Sequence, residues 1–321
     1  MPPCTSTRRE FSRCTAAAAA GIILPHCFTG HSAGADESKP KLKIFMHWDM
    51  EGVSGLLTRE QVWFWEEGVR PEAAEEGRKL LVADINSAAE AALKAGVDRL
   101  IVCDTHHGGG NIRLPEMLTD PRITYLVKSR GYDGPSFCWM PGLDATVDGL
   151  MLMGHHAKAG TPGAFLPHTW TLEWADFRIN GQSVGEIGIE SCFAGHWGVP
   201  LVLAQGEETM CKEVEEQFPS AVRACVKRAK SADLCTGPDA QTARRLTAEK
   251  VAEAIKQLRA AKPAPYKPSL PMLVAVRFRT ESGADTAAKK SGAQRTDPFT
   301  VQCKLQRQCD VVKWITGAGV D

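Results

Sequence analysis

The sequence predicts an α/β protein with a mostly parallel sheet flanked by helices, an active site at the strand carboxyl ends, and a smaller C-terminal α+β part. Three observations lead there. Strand-like apolar runs and helix-like segments follow one another from Ile44 onward, the succession that builds βαβ units. Several of those runs end in polar groups beside glycines, as in Asp49-Met-Glu-Gly52, Asp104-Thr-His-His-Gly108 and Gly154-His-His156. Open α/β sheets bind their ligands at that edge. The composition, 43% hydrophobic and 24% charged over 321 residues, is that of a soluble globular chain able to bury a sizeable core.

The first 35 residues stand apart. The pair Arg8-Arg9 precedes Phe11, a weakly apolar run spans Ala16 to Ile23, and Ala33-Gly-Ala35 is a small-x-small site. These features predict a twin-arginine-type signal peptide, cleavage before Asp36, and a periplasmic or secreted protein. Three of eleven cysteines fall in this leader, and the other eight form no C-x-x-C pair. Disulfides between neighbours such as Cys225/Cys235 or Cys303/Cys309 are open to an exported chain but not required. Without residues 1–35 the chain carries 35 basic and 37 acidic groups, which argues against a nucleic-acid or membrane-surface partner held by charge. No other stretch approaches the roughly 20 apolar residues of a membrane span.

Ile44 to Trp48 is the first expected strand. In an extended chain alternate side chains share a face, so Asp49 and Glu51 would point the same way beyond its end, and Gly52 and Gly55 let the backbone turn there. Thr58 to Val69, with Trp63 and Trp65, has no fixed form but could hold a short helix lining an entrance. Pro71 to Ala95 has apolar residues at helical spacing and Gly96 at its end. Arg99 to Cys103 is a buried-type strand, so β-α-β opens the fold with a parallel, right-handed crossover. Strands follow at Ile123 to Val127 and Gly149 to Met153. Phe177 to Ser183 is a hairpin about Asn180-Gly181. Val184 to Trp197 is helical, with Glu186 in its first turn.

Residues 36–205 thus form the metal-binding α/β catalytic part. Residues 206–279 form an α+β part of the same unit, with a strand at Pro200 to Ala204 leading into it. It holds helices at Glu207 to Phe218 and Thr242 to Ala261, strands at Ala221 to Val226 and Met272 to Arg279, and a proline-rich linker from Pro263 to Pro271. Residues 280–321 are a poorly specified tail.

Asp49, Glu51, His106, His156 and Glu186 supply three carboxylates and two imidazoles, the donor mix that borderline divalent ions prefer. Five ligands exceed the needs of one catalytic zinc. Two ions about 3.5–4 Å apart would use all five and keep positions open for substrate.

The motifs Asp-Met-Glu-Gly-Val-Ser-Gly at 49–55, Asp-Thr-His at 104–106, Gly-His-His-Ala at 154–157, Thr-Pro-Gly at 161–163, His168 and Val-Gly-Glu-Ile-Gly at 184–188 resemble the zinc D-aminopeptidase family of the DppA type. The resemblance runs from about residue 42 to about 279. It implies two zinc ions per chain on Asp49, Glu51, His106, His156 and Glu186, and a catalytic role for His168. It also implies a ring-stacked homodecamer acting on short peptides. His106 and His156 match the family positions, while the adjacent His107 and His155 should face away. Asp104 could orient the His106 ring. The reading is a dinuclear zinc aminopeptidase for short peptides, plausibly D-residue-containing. Another two-metal amide or phosphoester hydrolase, or a non-catalytic periplasmic metal- or peptide-binding protein, would use the same carboxylates.

Overall fold

The computed structural model describes residues 41–127 and 139–317. The expected leader lies outside the described residues. The chain opens with β1 (Lys43–Trp48), a short α1 (Arg59–Val62), the long α2 (Ala73–Lys94) and β2 (Arg99–Asp104). β3 (Ile123–Leu126), β4 (Gly149–His155), and the hairpin β5 (Trp174–Ile179) and β6 (Gln182–Ser183) follow. Then come α3 (Glu186–Gly195), β7 (Leu201–Glu207), α4 (Glu208–Gln217), β8 (Val222–Ser231), β9 (Leu234–Thr236) and α5 (Ala240–Ala260). The last elements are β10 (Met272–Phe278), α6 (Glu281–Ala287), β11 (Ala293–Asp297), β12 (Thr300–Leu305) and α7 (Lys313–Thr316).

Two sheets result. The larger runs β3-β2-β1-β4-β7-β8-β9, with every neighbouring pair parallel except β8 with β9. β1 lies between β2 and β4, so the strand order reverses at β1. That reversal opens the crevice in which such sheets bind ligands. Ile44, Met46 and Trp48 of β1 pack in one core with α2 and α5 residues such as Ile85 and Ile255. Phe45, on the opposite face, packs in a second core with Ile189 of α3 and Val274 of β10. The period-2 alternation of β1 thus divides its side chains between two layers.

The smaller, antiparallel sheet runs β11-β12-β10-β5-β6. The sheets do not divide the chain at residue 205: β5 of the β5–β6 hairpin pairs with β10 in the smaller sheet, while β8 and β9 extend the larger one. The tail is not poorly specified over 280–317. Val301, Cys303 and Leu305 alternate inward on β12, and the Thr280 hydroxyl accepts the Gly283 amide to start α6. This pattern covers only three inward positions within a polar composition, too short a signal to stand out in sequence. β8 also runs five residues beyond the expected strand end, turning back into β9. Cys103, Cys192, Cys211, Cys225, Cys235, Cys303 and Cys309 are free thiols, so neither neighbouring pair is bridged. Among the described residues no helix is long and apolar enough to cross a membrane.

The loop after β1 is locked to the end of β4. The Gly52 amide donates to Gly154 O at 2.6 Å, and the Asp49 amide to Met153 O at 2.8 Å. Gly154 has φ +72, and a Cβ there would lie 2.0 Å from Asp49 O, so only glycine lets the two segments approach this closely. Beneath them the buried Lys227 ammonium donates to Val53 O and Leu56 O at 3.1 and 2.5 Å, tying down the turn that carries Glu51.

Candidate metal centre

The strand ends deliver their side chains to one crevice. Asp49 follows β1, Glu51 sits in the glycine turn, His106 begins a short 3-10 turn after β2, and His156 follows β4. Glu186 is the first residue of α3. All five are buried, none more than 8% exposed. Asp49 presents Oδ1 to His106 Nδ1 at 2.7 Å and Oδ2 to His156 Nε2 at 3.4 Å. Glu51 Oε2 lies 3.3 Å from His106 Nδ1, and Glu186 Oε1 3.5 Å from His156 Nε2. The structure therefore brings together all five residues singled out as ligands in the sequence.

The far side of each imidazole fixes its near side. His106 Nε2 lies 3.0 Å from Val62 O and His156 Nδ1 2.9 Å from Ala157 O. A carbonyl only accepts, so these nitrogens carry the protons. The opposite nitrogen, which faces the carboxylates, would give its lone pair to a cation on losing its proton, the arrangement in which metal-ligating histidines are held. Ligand bonds of about 2.0–2.1 Å at tetrahedral angles put neighbouring donor atoms roughly 3.3 Å apart. Three of the four contacts above, at 3.3 to 3.5 Å, have that spacing. The donor set and its orientation fit divalent metal.

Charge follows the same logic. Burial works to raise the Glu51 pKa, but His106 and then His156 and His168 override it and hold the carboxyl well below its usual range. Burial likewise opposes ionisation of Glu186, yet His156 and the other imidazoles pull it down to about 2. Both carboxylates are ionised at neutral pH.

His168 lies in the loop between β4 and β5. Its Nδ1 donates to Leu166 O at 2.8 Å, and its ring stacks on His156 at 3.8 Å and 11°. Nε2 stands 3.9 Å from both Glu51 Oε1 and Glu186 Oε1, farther out than the two ligand-type imidazoles. Burial, then the neighbouring His156, push its pKa below the ordinary imidazole value, with Glu51 and Glu186 pulling the other way. A histidine serving as general base would act unprotonated, so in that role kcat/KM should fall as pH drops through a midpoint below about 6.5. A pH profile with zinc content measured at each point checks this, and a midpoint above that value with metal retained would exclude it.

The neighbours of the predicted residues are placed differently from expectation. Asp104 does not touch the His106 ring. It accepts the His106 amide at 3.1 Å and the Asn111 amide at 2.8 Å, so it shapes the loop through the backbone, while the ring is oriented by Val62 O. His107 turns to the rim and stacks on Trp65 at 3.9 Å. His155 points its Nε2 at Glu190, at 3.3 Å, yet it also keeps a donor atom within 4.8 Å of Asp49 and Glu186. Two contacts had no sequence signal: the Trp63 indole donates to Glu51 Oε1 at 2.8 Å, and the Trp170 amide to Glu186 Oε1 at 2.6 Å. A cavity of about 440 Å3 opens over the carboxylates, walled by Trp63, Trp65, Trp139 and Trp170.

An α/β crevice lined by buried carboxylates and oriented imidazoles defines the class as a metallohydrolase. The chain belongs to the D-aminopeptidase family, whose model, described as peptidase M55, matches residues 42–317. It is 31% identical over 264 residues to a D-aminopeptidase of Bacillus subtilis (strain 168), covering 81% of this chain and 90% of the relative. It also superposes, with a TM-score of 0.76 and 27% identity, on the Zn-dependent D-aminopeptidase DppA from Bacillus subtilis, described as a self-compartmentalizing protease. That match covers 85% of this chain and 94% of the other. The mostly parallel α/β fold and the metallo-aminopeptidase class expected from sequence are those of the family.

Proposed function

We propose that this chain is a dinuclear zinc aminopeptidase that removes the amino-terminal residue of short peptides carrying a D-residue there. The observation that carries the reading is Asp49, whose two oxygens face two different imidazoles, each oriented from behind by a carbonyl. A carboxylate so placed would be shared by two ions, with Glu51 and His106 holding one and His156 and Glu186 the other. Bound zinc would supply Lewis acidity and a water activated at neutral pH.

The chain's own residues do the rest. Trp63 holds the Glu51 oxygen turned away from His106, and the Trp170 amide holds the Glu186 oxygen that faces His156, so that both carboxylates keep one orientation. His168, held by Leu166 O, presents Nε2 over the pocket and, when unprotonated, takes a proton there as general base. The tryptophan walls narrow the opening over the carboxylates and limit the occupant to a small peptide end. Beyond the single chain, we propose assembly into a homo-oligomeric ring of the decameric kind, and export by the twin-arginine-type leader to the periplasm.

The test is a panel of D- and L-aminoacyl p-nitroanilides beside a phosphoester, assayed with the zinc-loaded protein. Turnover of aminoacyl substrates with D over L is expected. Phosphoester turnover alone, or equal use of both series, would overturn the substrate assignment.

A further inference from the structure

A second cluster of ligand-type side chains lies behind the pocket. His47 of β1, His155 of β4 and Glu190 of α3 are 0%, 1% and 1% exposed. Glu190 Oε2 is 3.0 Å from His47 Nδ1 and 3.3 Å from His155 Nε2. One donor atom from each of the three falls within 4.8 Å of the others. On the far side of its ring, His47 Nε2 meets the Thr105 hydroxyl at 2.8 Å, which leaves Nδ1 directed at Glu190.

The cluster is poorly accounted for by hydrogen bonds. Among the described residues, neither oxygen of Glu190 nor either nitrogen of His155 has a hydrogen-bond partner of acceptable geometry. A carboxyl group this deeply buried is normally hydrogen-bonded, paired or bound to metal. Two imidazoles and one carboxylate are a donor set that zinc accepts, and the two contacts lie close to the roughly 3.3 Å separation of donors about a tetrahedral ion.

We propose that His47, His155 and Glu190 form a third divalent-metal site, separate from the pocket and taking one zinc-class ion. Shut away from solvent, the ion would serve structure. It would tie β1, β4 and α3 together just where they release Asp49, His156 and Glu186. The inference stands whether or not the pocket is dinuclear.

Elemental analysis of the full chain after exhaustive dialysis tests it. Three ions per chain are expected in the wild type and two in Glu190→Gln, while Glu186→Ala loses its ion from the pocket and keeps the buried one. His47→Gln, tested beside it in case Glu190→Gln does not fold, should also hold two. A wild-type count of two that neither variant changes would overturn the site. A count of one in the wild type, falling to none in Glu190→Gln, would instead keep this site and overturn the reading of the pocket.

Discussion

Replacing His168 by alanine should lower kcat by roughly 10²–10⁴ while leaving the metal content and the fold unchanged. The direction follows from its placement. Nδ1 is held by a carbonyl, and Nε2 stands 3.9 Å from the nearest carboxylates, outside the closer contacts of His106 and His156. Removing a group that moves a proton in the transition state costs turnover more than substrate binding. The stack on His156 is lost as well, but His156 keeps its bond to Ala157 O and so its orientation. Steady-state kinetics with elemental analysis on one preparation decides. Metal loss in the variant would make His168 a ligand, and near wild-type turnover would make it a bystander.

The second large effect belongs to Asp49. Its oxygens face both ligand-type imidazoles, so Asp49→Ala should weaken both ion positions at once and reduce activity by more than about 10³-fold. Glu186→Ala, which removes a carboxylate beside His156 and His168 and away from His106, should lose one ion of the pocket and retain the other. The measurement is zinc per chain by elemental analysis for both variants beside the wild type. Equal metal loss in the two would remove Asp49 from its position between the ions.

The five residues that meet in the crevice were legible as a group because four of them sit where strands end, and strand ends carry a local signal. Asp49 and Glu51 follow an apolar run and precede glycines, and His106 and His156 repeat that arrangement two strands apart. The supports were not legible. Val62 O, Leu166 O and the Trp170 amide are backbone groups, which any residue supplies, so no side-chain pattern announces them. Asp104 was assigned to the wrong partner for a related reason: the positive φ of His107 through Gly110 folds the loop back so that the carboxylate meets amides and not the ring. The smaller sheet was missed because β5 pairs with β10, about a hundred residues later, and β10 in turn with β12. Each short strand alternates too briefly to identify itself before its partners are known. His47 and Glu190 meet only once β1 and α3 pack, and neither stands in a motif.

The most direct test of the two-ion reading is an anomalous difference map at the zinc edge from crystals of the zinc-loaded protein. Two peaks about 3.5–4 Å apart, with Asp49 between them, Glu51 and His106 on one and His156 and Glu186 on the other, are the expected result. A single peak in the pocket, or a peak ligated by His168 in place of His106 or His156, would contradict it.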